Sequence, residues 1–368
     1  MPDRRCARNL TAMEVGLCVA SKIDDIGYVV RAEQVGYSHA WFADSQMIWS
    51  DPYACLALAA VRTSTIKLGT GVSVVGTRIA PVTAAAIASI NKLAPDRTFL
   101  ALGNGNTAWR LMGHKPMTLD SFEEYARVCR ALLDGGSTDF TSRGRTTRIS
   151  LQMAHLGYVD VTHRVPIYIS GFGPRAQALA GRYGDGLVMS IPNEPAFVNR
   201  AWSNVQTGAN EAGRTLDRSE FLTCSLTAAC VLRAGEDLRS ERVIDTLGAL
   251  VISGFHYAYE NVRNYGAPPP RHLADDWEEY CALVESVPES TRHERIHVGH
   301  CVWLDPAERK FVTPERIRNA CLVGSGSEII EQLRAMESAG LSQVMLLPSL
   351  DRQYEALEDV GREVLAHL

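Results

Sequence analysis

The segment PIYISGFGPRAQALAGRYGDGLVMS, residues 166–190, contains a complete strand–helix–strand unit. Its apolar runs Pro166–Ser170 and Gly186–Ser190 show no polar alternation, which is typical of strands that are covered on both faces in a parallel sheet. Between them Arg175–Arg182 reads as a helix, and Pro174 suits the first helical position. The segment therefore predicts one β–α–β unit of an α/β fold.

Similar units precede and follow this segment. Strands are predicted at Glu14–Val19, His39–Phe42, Ile66–Gly69, Thr98–Leu102, Pro166–Ser170, Gly186–Ser190, Phe221–Leu232 and Gln343–Leu347. Helices are predicted at Ile23–Val35, Pro52–Val61, Pro81–Leu93, Ser121–Leu133, Arg175–Arg182, Pro195–Ala212 and Glu328–Ala339. A final helix follows the last strand and runs to Leu368. Eight strands, nearly all followed by a helix, predict a (β/α)8 TIM barrel, with an open doubly wound sheet as the alternative.

Two segments interrupt the alternation of strands and helices. Residues 135–163 are polar and predict an inserted hairpin, whereas residues 236–294 form a longer insertion with three successive prolines. Neither a repeat nor a low-complexity linker divides the chain. We therefore expect a flexible tail over residues 1–13 and a single domain over residues 14–368.

Composition excludes several classes of protein. The formal net charge is −5, so no basic surplus exists to bind nucleic acid. No run approaches the roughly 18 apolar residues of a membrane span, and the basic start has no apolar core of a secretory signal. Nine cysteines without a C-x-x-C pair predict reduced thiols and no metal site. These features together favour a cytoplasmic protein.

The turns after three successive strands each contain a G-x-G sequence. Active sites of TIM barrels lie at the C-terminal ends of the strands, and glycine lets the backbone come close to a ring or a phosphate. The three stretches are GTG at 69–71, GNG at 103–105 and GFG at 171–173. Tight turns would explain any one of them, but three at the same end of the barrel predict a ligand.

The third of these turns opens a helix. Its amides from Gly173 to Ala176, together with Arg175 and the helix dipole, predict a phosphate site. Gly171, Gly173 and Ala176 also satisfy the dinucleotide pattern G-x-G-x-x-A, with Glu194 as a ribose-binding acid. That alternative is weaker, because four strand–helix units precede this strand.

At this point the chain resembles a known family. HAWFADSQ (39–46), IKLGTGVS (66–73), PVTAAAIASINKLAPDRTFLALGNGN (81–106) and residues 166–186 look like the luciferase-like flavin oxidoreductases. The nearest branch is that of the methylenetetrahydromethanopterin reductases. The resemblance spans roughly residues 14–190 and returns over 324–348. It implies a luciferase-like barrel that holds FMN or the deazaflavin coenzyme F420 with the ring inside the mouth, and it implies a homodimer.

The strand ends and the resemblance together predict which residues contact the cofactor. In the family a non-proline cis peptide often follows strand three, and Gly71–Val72 matches that position. The predicted cofactor contacts are Asp44, Trp49, Thr70, Gly71, Val72, Asn104, Ser170, Gly171, Gly173, Pro174 and Arg175.

The chain departs from the family where acids and bases are expected. Deazaflavin-dependent dehydrogenases carry a histidine after the strand-two aspartate, where this chain has Ser45, and a glutamate after the strand-four G-x-G, where it has Asn106. The reductase branch has an acid near the end of strand one, where Cys18 stands. These departures weaken the case for proton-relay chemistry. We take Ser45, Asn106 and Cys18 as candidate catalytic residues.

A histidine-rich stretch, HERIHVGHCVWL at 293–304, provides one further candidate. If it is a strand, His297 and His300 point to opposite faces, and no carboxylate completes a metal-ligand set. His300 is taken as the proton donor that faces the mouth.

The missing acid and base favour a two-component monooxygenase that uses reduced FMN on a small organic substrate and receives it from a separate flavin reductase. The alternatives are an F420-dependent, hydride-transferring oxidoreductase and a barrel that binds flavin without turnover.

Overall fold

The computed structural model describes residues 13–190 and 195–368, and its centre is a sheet of eight parallel strands. They are β1 (Glu14–Val19), β2 (His39–Phe42), β3 (Lys67–Thr70), β4 (Thr98–Gly103), β5 (Ile167–Ser170), β6 (Gly186–Met189), β7 (Leu222–Thr227) and β8 (Gln343–Leu346). The strand order runs from β3 through β2 and β1 to β8, and then through β7, β6 and β5 to β4. Pairing of β3 with β4 at Leu68–Thr98 closes the ring. The predicted TIM barrel is confirmed.

Helices cover the outside of this barrel and its C-terminal end. They span Gly27–Gln34, Pro52–Ala60, Ala80–Leu93, Asn106–Leu111, Leu119–Leu133, Pro174–Tyr183, Pro195–Glu211, Glu241–Tyr265, Trp277–Glu285, Arg292–His297, Pro314–Ala320, Gly326–Ser338 and Gln353–Glu363. Local signals explain their starts. The Asp51 carboxylate accepts hydrogen bonds from the amides of Tyr53 and Ala54, and Ser325 forms a capping box with Glu328.

Met13, the last residue of the predicted tail, is part of the described structure. Met13 is 4% exposed and belongs to the hydrophobic core, because it directly precedes β1. The rest of the predicted tail, residues 1–12, lies outside the described residues.

The predicted strand Phe221–Leu232 is in fact two strands. β7 ends at Thr227, and Ala229–Val231 pairs instead with Leu322–Gly324 in a separate two-stranded sheet. Both pieces are buried, and residues 221–232 contain no glycine, proline or charged residue that would mark the boundary in the sequence. The prediction of one long strand was wrong for that reason.

The two insertions lie in different places. The first forms the predicted hairpin, Ser137–Ser142 paired with Arg145–Ser150. The second is helical and runs further than the predicted residue 294, because helices and turns continue from Glu241 to Ala320 before the strand Leu322–Gly324. Its long helix Glu241–Tyr265 shares one apolar cluster with Cys18 and Met345, which face the barrel interior. The second insertion therefore covers the C-terminal mouth of the barrel.

No helix in the described ranges is both long and apolar enough to cross a membrane.

Candidate active site at the barrel mouth

Three aromatic side chains fill the barrel interior below the mouth. The ring centroid of Trp41 lies 4.4 Å from that of Phe99 and 5.5 Å from that of Tyr168. The indole of Trp41 donates a hydrogen bond to Gln343 at 3.0 Å. Gly69 has no side chain at this level, where a Cβ would lie 2.3 Å from the Phe99 ring. We call Trp41, Phe99 and Tyr168 the aromatic floor.

The inward-facing positions above the aromatic floor carry small residues. Side chains alternate along a strand, so the inward positions above the floor are Ala43, Gly71, Ala101, Gly103 and Ser170. A Cβ on Gly71 would lie 2.6 Å from the Cβ of Trp41, and one on Gly103 would lie 2.5 Å from a methyl group of Val72. Glycine at these two positions therefore lets the backbone pack directly against Trp41 and Val72.

The turn after β3 has the backbone geometry that the resemblance implied. The Gly71–Val72 peptide bond is cis. The Asp44 carboxylate supports this turn by accepting hydrogen bonds from the Val74 amide at 3.0 Å and from Arg78 at 2.8 Å. Burial raises the pKa of Asp44, and Arg78 opposes that rise. The carboxylate is thus engaged with the protein's own turn.

Thr70 likewise has partners within the protein. Its hydroxyl donates to the carbonyl of Ala101 at 2.7 Å and accepts from the amide of the same residue at 3.1 Å. This pair of bonds ties β3 to β4. Thr70, predicted to contact the cofactor, is therefore placed as a support of the two strands beneath the turn.

Residues from distant parts of the chain meet beside the end of β2. The carbonyl of Ser45 accepts the amides of Ile48 and Trp49, and this turn brings the Trp49 ring to 5.9 Å from that of His300. Burial, with a smaller contribution from Cys301, raises the pKa of Cys18 to about 12, so Cys18 stays a neutral thiol. The structure brings the predicted residues Cys18, Ser45, Trp49 and His300 to one end of the barrel.

His300 is a neutral imidazole. Burial, together with His297 and His256, holds its pKa well below the usual range. The segment is a short helix that ends at His297, followed by a turn, and not a strand. The rings of His297 and His300 are therefore neighbours, with centroids 5.6 Å apart, rather than on opposite faces. A lowered pKa disfavours the protonated ring that a proton donor requires, so the donor role of His300 stays a prediction.

The turn after β5 leaves an open helix start. Gly173 precedes the helix Pro174–Tyr183 without a side-chain capping bond, and nothing lies within 4 Å of a Cβ built on it. Gly171 packs closely, since a Cβ there would lie 2.9 Å from the backbone of Ala176. The Arg175 side chain is 78% exposed and 3.8 Å from Asp120. Free amides at an uncapped helix start fit a phosphate.

Sequence reasoning missed the partners of Asn106. Its side-chain amide donates to Glu260 at 3.0 Å, and its oxygen accepts from Arg110 at 2.9 Å. The carboxylate of Glu260 also lies 2.9 Å from the Nε2 atom of His297. Glu260 is 154 residues from Asn106, so no spacing in the sequence could have connected them. Asn104, predicted to contact the cofactor, is exposed beside this group.

Two further predictions concern a metal site and the acid of the dinucleotide-binding alternative. Among the described residues, no group of three or more histidine, cysteine, aspartate or glutamate side chains has an arrangement that could hold a metal ion. Glu194, the acid of the dinucleotide alternative, lies outside the described residues.

Comparison with known proteins identifies relatives along nearly the whole chain. The family model described as luciferase-like monooxygenase matches residues 21–343. The 5,10-methylenetetrahydromethanopterin reductase of Archaeoglobus fulgidus is 26% identical over 350 residues, which cover 93% of this chain and 94% of the relative. The F420-dependent hydroxymycolic acid dehydrogenase of Mycobacterium tuberculosis is 33% identical over 235 residues, covering 60% and 61% of the two chains.

Solved structures share the fold. The coenzyme F420 dependent tetrahydromethanopterin reductase of Methanopyrus kandleri superposes with a TM-score of 0.68 at 22% identity, covering 97% of this chain and 99% of that one. The oxygenating constituent of 3,6-diketocamphane monooxygenase of Pseudomonas putida, in complex with FMN, gives 0.62 at 18% identity with the same coverage. At these identities the structures show the fold alone.

Proposed function

Because this chain belongs to the luciferase-like monooxygenase family and is an oxidoreductase, we propose that it transfers a hydride between coenzyme F420 and a small organic substrate. The observation that carries the proposal is the buried pair His297 and His300 beside the small residues of the barrel mouth. Relatives that are named for F420 or for methylenetetrahydromethanopterin reduction support the choice of cofactor.

The chain offers two places for the cofactor. The small residues Gly71, Gly103 and Ser170 above the aromatic floor would face the ring, with Val72 beside it. The turn Gly171–Gly173 would hold a phosphate through the helix amides. When bound, F420 supplies a ring carbon that accepts or releases a hydride, and the protein orients the substrate against it.

The structure weakens the argument from sequence that the site lacks groups for proton transfer. That argument rested on Ser45 and Asn106, which stand where related dehydrogenases carry a histidine and a glutamate. The second insertion supplies both residue types from elsewhere, as His297 with Glu260 and as His300. Ionisable groups are thus present beside the mouth, and this favours hydride transfer with F420 over the monooxygenase that the sequence favoured.

A two-component monooxygenase with reduced FMN is the second candidate. Cys18 and Ser45 are both buried and uncharged, and the second insertion covers the mouth. Oxygen chemistry on a flavin needs a site that excludes water more than it needs a protein acid. This function would require a separate flavin reductase as partner.

Titration of the purified protein with F420, with FMN and, under anaerobic conditions, with reduced FMN tests the proposal through quenching of cofactor or tryptophan fluorescence. We expect micromolar binding of F420 and much weaker binding of both FMN forms. Tight binding of reduced FMN alone would establish the second candidate. If none of the three binds, the ring site proposed at the mouth is wrong.

We also propose that the protein is a cytoplasmic homodimer. Six of the described cysteines, Cys18, Cys55, Cys129, Cys230, Cys281 and Cys301, are free thiols, which supports a reducing compartment. Two adjacent helices, Pro52–Ala60 and Ala80–Leu93, leave apolar side chains exposed at or just beyond their ends and on their outer sides, including Val61 and Val82. A second copy of the chain would cover this surface.

A further inference from the structure

Three histidines of the second insertion, His256, His297 and His300, are buried with an unpaired ring nitrogen each, and the last two are neighbours. The Nδ1 atoms of His297 and His300 are inaccessible to solvent and have no hydrogen-bond partner. Buried polar atoms in proteins are nearly always paired. Two such atoms in neighbouring rings therefore indicate a place where a ligand or a transferred proton is accommodated.

Glu260 determines which nitrogen of His297 carries the hydrogen. Its carboxylate oxygen lies 2.9 Å from Nε2 of His297, and an ionised carboxylate can only accept a hydrogen bond. Nε2 must therefore be the protonated nitrogen in neutral His297, and Nδ1 is left bare. The other carboxylate oxygen is held by Asn106 at 3.0 Å and Arg110 at 3.3 Å, so Glu260 cannot rotate away.

This group is connected to the cofactor mouth from two sides. Asn106 directly follows the G-x-G turn of β4, and its hydrogen bond to Glu260 ties that turn to the long insertion helix. On the other side, the His300 ring lies between those of His297 and Trp49, at centroid distances of 5.6 Å and 5.9 Å. The histidine pair thus lies between the β4 turn and the end of β2.

We propose that Glu260 is a positioning residue that fixes His297 and His300 as the site where the substrate proton is taken up. The inference rests on the proposed function. An alcohol substrate that loses a hydride from carbon, with both bonding electrons, to F420 must also lose the proton of its hydroxyl group. The bare Nδ1 of His297 takes that proton, and the carboxylate of Glu260, hydrogen-bonded to Nε2 of the same ring, stabilises the positive charge that results.

Other titratable and charged groups surround the pair. They are Arg110 on the short helix after β4, His256 on the long insertion helix, Tyr280 on the helix Trp277–Glu285, Arg295 and Cys301 on the segment of the pair, and Glu308 just after that segment.

A second histidine–glutamate pair in the same insertion provides a matched control. His256 Nε2 lies 3.2 Å from Glu308, and both side chains are almost completely buried. This pair has no bond to Asn106 or to any other residue of the β4 turn. Glu308→Gln therefore removes the same charge from a comparable buried pair whose hydrogen bond involves neither Glu260 nor His297.

The test uses the full chain with ¹⁵N-labelled histidine and long-range ¹H–¹⁵N NMR near neutral pH, with His297→Gln and His300→Gln for assignment. In the wild type we expect His297 protonated at Nε2. In Glu260→Gln the new amide oxygen stays with Arg110 and Asn106, so its nitrogen faces His297 and shifts the hydrogen to Nδ1. Glu260→Asp, which keeps the carboxylate, and Glu308→Gln should leave His297 in its original form.

Addition of F420 is the second readout, and we expect it to shift the His300 resonances in the wild type and in Glu308→Gln. A wild-type His297 protonated at Nδ1 overturns the positioning role without the need for any variant. A His297 that is unchanged in Glu260→Gln, or changed equally in Glu308→Gln, overturns it too. Bound F420 that leaves both histidines unshifted places the pair away from the mouth. Failure of F420 to bind overturns the proposed function, while the predicted switch in Glu260→Gln would still support the role of Glu260.

Discussion

At the scale of single residues, Cys18 and Cys301 show how burial fixes a protonation state. Burial raises the pKa of each thiol from 9.0 to about 12. A raised pKa in the folded state means that the stabilisation is present below pH 9 and is lost as the pH rises towards 12, because only the unfolded chain ionises in that window.

We therefore expect the free energy of unfolding to fall between pH 9 and pH 11, by about 1.4 kcal/mol per pH unit for each such thiol. Urea unfolding at a series of pH values measures this slope. Cys18→Ala should show a slope that is shallower by one thiol's contribution. Equal slopes in the variant and the wild type would show that Cys18 ionises while the protein stays folded.

Asp44 is a second residue whose role follows from its partners. Its side chain is fully buried against Arg78, and it holds the turn that contains Gly71 and Val72. Asp44→Asn should reduce the free energy of unfolding by about 2–3 kcal/mol, because a buried charge-assisted hydrogen bond is lost. Chemical denaturation measures the change.

The matched control is Asp139→Asn, which removes an exposed pair with Arg148 and should change stability by less than about 0.5 kcal/mol. Equal effects of the two substitutions would show that Asp44 does not support the turn.

The limits of sequence reasoning are visible at this scale. The cis bond at Gly71–Val72 was predicted because a family resemblance covers that turn. The role of Glu260 was not predicted, since its contacts depend on how an insertion folds back over the barrel. His300 was identified, but its neutral state depends on burial and on His256, neither of which a linear sequence displays.

At the scale of elements, a substitution at the start of the helix Pro174–Tyr183 should change ligand affinity and helix stability in opposite directions. Gly173→Asp adds a negative charge where a phosphate is proposed, so we expect F420 affinity to fall at least about tenfold. Aspartate is also a good N-cap, so helix stability should rise by a few tenths of a kcal/mol. A fluorescence titration and a thermal melt measure the two effects.

Gly254→Asp is the matched control, because Gly254 is also open on all sides within 4 Å and lies on the long insertion helix. It should leave F420 affinity unchanged. Unchanged affinity in Gly173→Asp would remove the proposed phosphate site.

Elements with strong local signals were predicted to within a few residues. The strands Glu14–Val19 and His39–Phe42 agree fully with the structure, and Asp51 with Pro52 gave the start of its helix. Errors arose where local signals are weak. The break after β7 falls within a buried stretch that has no glycine, proline or charged residue. The His293–His300 segment forms a helix and a turn that pack against the short helix Asn106–Leu111.

At the scale of the whole molecule, the apolar surface on the helices Pro52–Ala60 and Ala80–Leu93 tests the proposed dimer. Val82 is 50% exposed on the second helix, where a charge would be buried against a second copy. Val82→Glu should convert the dimer to a monomer that remains folded. Light scattering after size-exclusion chromatography measures the mass.

Leu350→Glu, at a position that is 38% exposed on another surface, should remain dimeric. A wild type of 40.3 kDa in solution would refute the dimer, and a dimeric Val82→Glu would refute this surface as its interface.

The aromatic floor also predicts the order in which cofactor and substrate bind and leave during turnover. Trp41 and Phe99 are at most 2% exposed, so their side chains close the interior of the barrel below the mouth. A ring that lies on this floor is the first to arrive and the last to depart, since the substrate lies between it and the exit. Steady-state kinetics should therefore follow a compulsory sequence, with a substrate analogue acting as an uncompetitive inhibitor against the cofactor.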